Sequence, residues 1–518
     1  LSNEIEKVDV LVIGTGLAGC IAAITAAEHG RNVLMITKTE ELMSGNTPYA
    51  QGGIIYTGEK DSPQKLKKDI MDAGDGHCWE IAVDQIAELG PKLVKELLIE
   101  KFDVEFDRTS DDNLDLTAEG AHSQPRIIHS KDHTGRAIHK AVLEAVKKNP
   151  NIRIYRNHTA VDLLTLSHHS KNSLDIYKKP SCFGALVLNN ITGKTYPIYA
   201  KYTILATGGL GQIYLHTTNP VESTGDGIAL AWRAGARCFN LQFIQFHPTS
   251  FYSEKETFLI SESLRGEGAI LIDNKGNPFM DRFHELKSLA PRDVVARSIH
   301  QVMLETGHPC VYLDISFKDS NWIRNRFPTI YQNCLKAGVD ITSEPIPVVP
   351  AAHYSCGGVG VNLNGRTSLR RLYAVGEVSC TGVHGANRLA STSLLECLVW
   401  GWTAGLDVSK DTDDANYFPE IFDWIDETES IDPALIAQDW FTIKNTMWNY
   451  VGLIRTRQRL HRAQQILRHL QSEIEQFYRK AKMTRSIIEL RNGVQTAIAV
   501  TNATVEQRVN RGAHYLKE

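Results

Sequence analysis

Hydrophobic and polar positions alternate along the chain in blocks whose period changes. Val8–Ile13 is a short, unbroken apolar run, as expected of a strand buried on both faces. Gly14-Thr15-Gly16-Leu17-Ala18-Gly19 follows, then Ile21–His29 with helical character and Arg31–Ile36 as a second parallel strand. Thr37 to Asp75 is rich in Gly, Ser, Thr and Asn and too long for a plain connection, so it is expected to contact a ligand. Helical spacing returns over Glu80–Ile99 and Gly135–Lys148, and strand patterns over Ile152–Thr165, Gly184–Asn189 and Lys201–Thr207. Between Cys238 and Pro350 the elements shorten and charges and prolines accumulate. Leu372–Val378 then returns as a buried strand and Ser393–Val408 as a helix with a small, apolar face. After Trp424 Gly and Pro become rare, and Trp440–Tyr478 and Thr484–Asn510 carry i, i+3, i+4 apolar spacing.

The fold expected from this order is α/β: a Rossmann-like nucleotide-binding domain interrupted by an inserted α+β capping domain and followed by a C-terminal helical bundle. The boundaries read as 1–237 and 353–415 for the two parts of the nucleotide-binding domain, 238–352 for the insertion and 416–518 for the bundle. The inserted domain is expected to close over substrate.

Composition narrows the class. The 518 residues are 42% hydrophobic and 22% charged, which is ordinary globular usage. Lys and Arg total 56 against 60 Asp and Glu, a net charge of −4, so no overall basic field favours nucleic acid or an anionic membrane. The Arg455, Arg457, Arg459, Arg462 run reads as a solvated helix face. Nine scattered cysteines without a C-x-x-C argue against a disulfide framework or a zinc ribbon and suit a reducing, cytoplasmic compartment. The apolar stretch Val8–Ala27 is punctuated by Asp9, Gly14, Gly16 and Gly19 and reads as strand, turn and helix, not as a membrane span. No metal site is expected, because no histidines stand at ligand spacing on a helix.

The G-x-G-x-x-G of Gly14–Gly19 is specific because of its place between a buried strand and a helix. Gly14 permits the tight turn, Gly16 the approach of a pyrophosphate and Gly19 the close packing of helix on sheet. The end of the second strand usually offers an acid to a ribose; here it offers Thr37-Lys38, so the fingerprint alone does not choose among NAD, NADP and FAD. Other segments favour FAD. Asn46–Gly53 is small and polar, suited to wrapping a ring system with backbone groups. Thr203–Gly209 is a strand ending in glycines, and Tyr373–Glu377 is another with an acid at its tip.

Longer motifs add a resemblance. QFHPTSF (245–251), LISESLRGEGA (259–269), APRDVVARSI (290–299), PAAHYSCGGV (350–359), AVGEVSCTGVHGANRLASTSLLE (374–396) and WNYVGLIRTRQRL (448–460) resemble the flavoprotein family of succinate dehydrogenase, fumarate reductase and L-aspartate oxidase, and within it the L-aspartate oxidase branch. The resemblance covers nearly the whole chain. It implies that FAD lies against Gly14, Thr15, Gly16, Leu17, Ala18, Gly19, Lys38, Asn46, Thr47, Tyr49, Ala50, Gln51, Gly52, Gly53, Val161, Asp226, Glu377, Ser393 and Leu394. Membrane-bound members attach FAD through a His at the position of Asn46; an amide is no such nucleophile, so non-covalent FAD is implied. His247 and Ser261 would hold one substrate carboxylate, His353 and Arg388 the other. Ser261 replaces the usual Thr, which keeps the hydroxyl and loses a methyl. Arg292 would transfer a proton, with Glu262 and Arg265 as its relay. Glu119 would face the α-amino group of L-aspartate. The implied reaction is oxidation of L-aspartate to 2-iminosuccinate by hydride transfer to flavin N5, with oxygen or fumarate as oxidant. The implied setting is pyridine nucleotide biosynthesis upstream of quinolinate synthase. The alternatives are a soluble fumarate reductase or a succinate dehydrogenase flavoprotein subunit, and, from another class, a flavin-binding protein whose C-terminal helices serve as an interaction module.

Overall fold

The computed structural model describes residues 6–131, 133–253, 258–410, 417–422, 424 and 427–517. Its main sheet is built from β1 (Glu6–Ile13), β2 (Val33–Ile36), β3 (Ile152–Tyr155), β4 (His158–Thr165), β5 (Cys182–Asn189) and β6 (Thr195–Leu205). The order is β3-β2-β1-β6-β5-β4, and a short strand, Leu372–Ala374, also pairs with β6. β1 is parallel to β2 and β6, whereas β5 is antiparallel to both β4 and β6. The expected β-α-β unit is therefore present. The carboxyl ends of β1, β2, β6 and Leu372–Ala374 converge on one edge, where open α/β sheets bind ligands.

Helix α1 (Leu17–Glu28) is apolar on every side, with eleven of its twelve residues buried. It packs on the helix Thr392–Lys410 through small residues. A Cβ on Gly401 would stand 2.7 Å from the Ala18 carbonyl oxygen, and one on Gly405 would stand 2.6 Å from Thr25 Cβ. This close crossing brings Ser393 and Leu394 beside the glycine-rich turn after β1.

A second, four-stranded sheet is wholly antiparallel: β7 (Ile244–Phe251), β8 (Ile270–Ile272), β9 (Val311–Asp314) and β10 (Ile346–Ser355), in the order β7-β10-β9-β8. It has its own hydrophobic cluster, which includes Phe251, Leu271, Val295, Ile299, Leu313 and Val348. β10 runs across the 352/353 boundary read from the sequence and carries His353 toward the main sheet's ligand edge.

Three sequence readings are corrected. The stretch read as a ligand-contacting loop over Thr37–Asp75 contains a helix, Pro63–Ala73, which Ser62 caps by accepting from the Lys65 amide. The helical stretch Trp440–Tyr478 is two helices, Pro433–Val451 and Arg457–Tyr478, with Thr456 capping the second. Between them Arg455 is fully buried instead of solvated. Its guanidinium donates to the Gly452 and Gln242 carbonyls, both at 2.9 Å, and meets His514 Nδ1 at 2.6 Å. Arg457 and Arg462 are exposed, as a solvated face requires. A third helix, Arg485–Glu506, completes the bundle. Among the described residues no helix is long and apolar enough to cross a membrane, and no three His, Cys, Asp or Glu side chains group as a metal site.

Candidate active site

A cavity of about 1060 Å³ opens along the ligand edge, at the upper end of the size range of small-molecule sites. Of the residues expected to hold cofactor, all but Gly19 and Val161 line it. Gly19 instead packs α1 on the turn: a Cβ there would meet the Gly14 carbonyl at 2.4 Å. Val161 points into a separate hydrophobic cluster, and Thr159 and Ala160 of the same strand reach the cavity.

The residues fit FAD. Gly14 has φ +117°, and a Cβ there would sit 2.1 Å from the Ala206 carbonyl oxygen, so the turn is closed to any other residue. The N-cap of helix α1 is Gly16, which has no side chain to cap with, and the first turn holds no acid; Thr47 Oγ1 accepts from the Leu17 amide at 3.2 Å, and the positive end of the helix favours an anion. Thr207 Oγ1 is buried beside the cavity without a hydrogen-bond partner. Asn46 Nδ2 donates to Glu377 Oε2 at 2.6 Å, and the Ser355 amide donates to Glu377 Oε1 at 3.1 Å. Burial nevertheless pushes the Glu377 carboxyl up to about 7.

The same cavity gathers the expected substrate residues Glu119, His247, Ser261, His353 and Arg388, together with Arg292 and Glu262. His247 lies in β7 and His353 in β10, with ring centroids 5.5 Å apart. Thr218 Oγ1 is 2.8 Å from His353 Nδ1, and the Thr249 amide is 3.3 Å from His247 Nδ1. Each ring is thus anchored through Nδ1. Burial, reinforced by the nearby Arg292 and, for His353, Arg388, holds both imidazoles well below their ordinary range, so they are neutral at pH 7.

Arg388 is buried, with Nε donating to Gln245 Oε1 at 3.2 Å and the guanidinium 4.7 Å from the Tyr354 ring centre. Beneath it, Glu396 accepts from Tyr354 Oη at 2.9 Å and Thr381 Oγ1 at 2.6 Å, and pairs with His384 Nε2 at 2.9 Å. His384 therefore shapes the Arg388 loop and does not line the cavity. Arg292 opens the helix Arg292–Thr306, and its Nε pairs with Glu262 Oε2. Glu262 Oε1 is 3.6 Å from Arg265 Nη2. Burial pushes the Glu262 carboxyl up, but Arg292 and Arg265 more than offset this and hold it low, as a carboxylate. Arg265 is fully buried behind the cavity and does not line it. Ser261 keeps a hydroxyl at the cavity, where it accepts from Ser263 Oγ at 2.9 Å.

Glu119 enters from the segment after Leu116–Thr117. Its Oε2 accepts from Ser391 Oγ at 2.7 Å, and its Oε1 occupies the space a Cβ on Gly52 would take, 2.5 Å away. Ser391 was missed by sequence reasoning although it stands inside GANRLASTSLLE; it holds a left-handed backbone, φ +58°. Thr329 and Asn333 also reach the cavity, from a helix whose sequence bore no signal of it.

The comparisons agree with this geometry. The family described as FAD binding domain matches residues 9–394. The L-aspartate oxidase of Pseudomonas aeruginosa is 43% identical over 98% of this chain and 94% of its own length. A chloroplastic L-aspartate oxidase of Nicotiana tabacum is 40% identical over 98% of this chain and 80% of its own. Among solved structures, a quinol–fumarate reductase superposes with a TM-score of 0.86 at 26% identity, covering 99% of this chain and 93% of that one. Mycobacterium smegmatis Sdh1 superposes with a TM-score of 0.84 at 29% identity, covering 99% and 89%. With its FAD cradle complete and its similarity spanning nearly the whole chain, this protein belongs to the L-aspartate oxidase family of FAD-binding flavoproteins.

Proposed function

We propose that the chain oxidises L-aspartate to 2-iminosuccinate, with oxygen or fumarate as the final oxidant, in the first step of a route to pyridine nucleotides that continues through quinolinate synthase. The observation that carries the substrate assignment is Glu119, a carboxylate at the cavity wall that no arginine or lysine pairs with among the described residues, whereas Glu262, the other acid beside the clamp, is taken up by Arg292 and Arg265. Succinate offers such a carboxylate nothing; an α-ammonium offers it an ion pair.

Bound FAD supplies the two-electron acceptor. The chain supplies the rest. Arg388 and His353 hold one carboxylate of the substrate, and His247 and Ser261 the other. Neutral imidazoles donate without placing further charge in the cavity, which suits a pocket already holding Arg292 and Arg388. Glu119, fixed by Ser391, orients the amine. Arg292 and Glu262 form a contiguous proton path to Arg265. When fumarate is the substrate it fills the same two-ended clamp; one alkene carbon would take the hydride that the reduced cofactor supplies, and the other takes a proton from the Arg292 guanidinium, replenished through Glu262. FAD is held without a covalent bond: Asn46 stands where a nucleophilic His would be needed, and its amide is engaged by Glu377 and Ser223. The chain reads as 1–237 and 353–415 around an insertion at 238–352, with the bundle at 416–518.

Anaerobic bleaching of the flavin with L-aspartate and with succinate, in separate samples, tests the assignment. Bleaching by L-aspartate with little by succinate is expected. Bleaching by succinate alone would move the protein to the succinate and fumarate branch.

A further inference from the structure

Helix Arg485–Glu506 lies beyond residues 9–394, the span matched to the FAD-binding family, yet one of its faces packs on two residues that line the cavity, Lys38 and Asp226. Arg485, Glu489, Asn492 and Thr496 follow at i, i+4, i+7 and i+11, which places them on one side of the helix. Glu489 Oε1 is 2.7 Å from Lys38 Nζ and accepts from Arg485 Nε at 2.8 Å. Asn492 Nδ2 donates to Asp226 Oδ1 at 2.9 Å, and Thr496 Oγ1 to the Gly225 carbonyl at 3.0 Å. Lys38 and Asp226 both line the cavity and pair with each other at 2.7 Å.

Lys38 stands just past the end of β2, where an acid usually reads the adenosine ribose. Its side chain is 14% exposed, between those of Asp226 at 12% and Glu489 at 14%. A cation this buried needs compensation, and an acid held by three donors cannot turn away. Asp226 takes Lys38, Thr224 and Asn492; Glu489 takes Lys38 and Arg485. The four charges balance.

We propose that the C-terminal bundle is part of the cofactor site. Glu489 and Asn492 act as positioning residues, holding Lys38 and Asp226 in the orientations that meet the ADP half of FAD. The inference rests on the placement of Lys38 and Asp226 against that half.

The test titrates FAD and, separately, ADP into the apo-protein of the full chain, with apo-protein melting recorded alongside. The variants are Glu489→Gln, Asn492→Ala, Lys38→Ala and Asn502→Ala. Asn502 is on the same helix but accepts from Gln464 within the bundle, at 2.9 Å, and serves as the packing control. Glu489→Gln and Asn492→Ala are each expected to weaken FAD and ADP by the same factor, about tenfold, the scale of a charge-assisted hydrogen bond. Asn502→Ala is expected to leave both within about twofold. Glu489→Gln on a Lys38→Ala background is expected to add little, since the two act on one another. Four outcomes would overturn the proposal. Unchanged affinity in Glu489→Gln and Asn492→Ala beside a weakened Lys38→Ala refutes the role of the helix alone. Equal weakening in Asn502→Ala assigns the effect to general packing. FAD weakened with ADP untouched puts the effect at the other end. An unaffected Lys38→Ala removes the placement of Lys38 and the inference with it.

Discussion

Glu119 gains its meaning from what surrounds it. Ser391 fixes one of its oxygens and Gly52 leaves room for the other. Glu119→Gln is expected to weaken L-aspartate by about tenfold or more, because an ion pair becomes a neutral contact, and to leave succinate unchanged or tighter. Flavin spectral titrations with the two ligands check this; equal effects on both would sink the role. Gly52→Ala is expected to act in the same direction, since its Cβ would displace the carboxylate. The clamp histidines carry a separate expectation. His247 and His353 are held neutral well below their ordinary range, so ligand affinity between pH 6 and 8 is expected to show no histidine titration. A step near pH 6.5 that disappears in a His353→Gln variant would contradict it.

At the scale of elements, the β1–α1 turn and the interhelical break around Arg455 are the points of least tolerance. Gly14→Ala combines a left-handed φ with a Cβ 2.1 Å from the Ala206 oxygen, so loss of FAD binding is expected, measured as flavin retained through gel filtration. Arg455→Ala leaves the Gly452 and Gln242 carbonyls without their donor and opens a void; a loss of about 3 kcal/mol is expected in denaturant unfolding. Here the sequence was legible only in part. Helical spacing ran on through 452–456, because periodicity reports which positions are apolar and not whether the chain turns. Thr456 as a cap and Gly452 before it were the local signals of the break.

For the whole molecule, burial of histidines ties stability to pH. Burial lowers His216 and His300 to about 4, and burial with the neighbouring Arg455 lowers His514 to about 3. In the unfolded chain each titrates near about 6.5. Between those values the unfolded state binds more protons, so stability rises with pH. This contribution is complete above the unfolded value and is lost as pH falls toward the folded ones. The apo-protein's melting temperature is therefore expected to fall from pH 7 to pH 5. A flat profile over that range would show these histidines to be accessible. His216 and His300 flank Trp448, with centroids at 4.7 and 5.9 Å, so His216→Phe is expected to flatten part of the slope.

The sequence by itself determined the β-α-β unit, the glycine turn and most of the motif residues that line the cavity, though not Ser391, Thr329 or Asn333. Those rest on local patterns: alternation, a buried run, glycine where backbone must close, and long motifs whose residues are neighbours in the chain. Only the tertiary structure decided which of those residues meet. Glu119 and Ser391 are joined across 272 positions, His353 and Thr218 across 135, and Lys38 and Glu489 by a helix from the far end of the chain. Such pairs leave no periodic trace, because each partner's local sequence is set by its own strand or helix. Their distance in space is set by how the sheet edge, the second sheet and the bundle pack together.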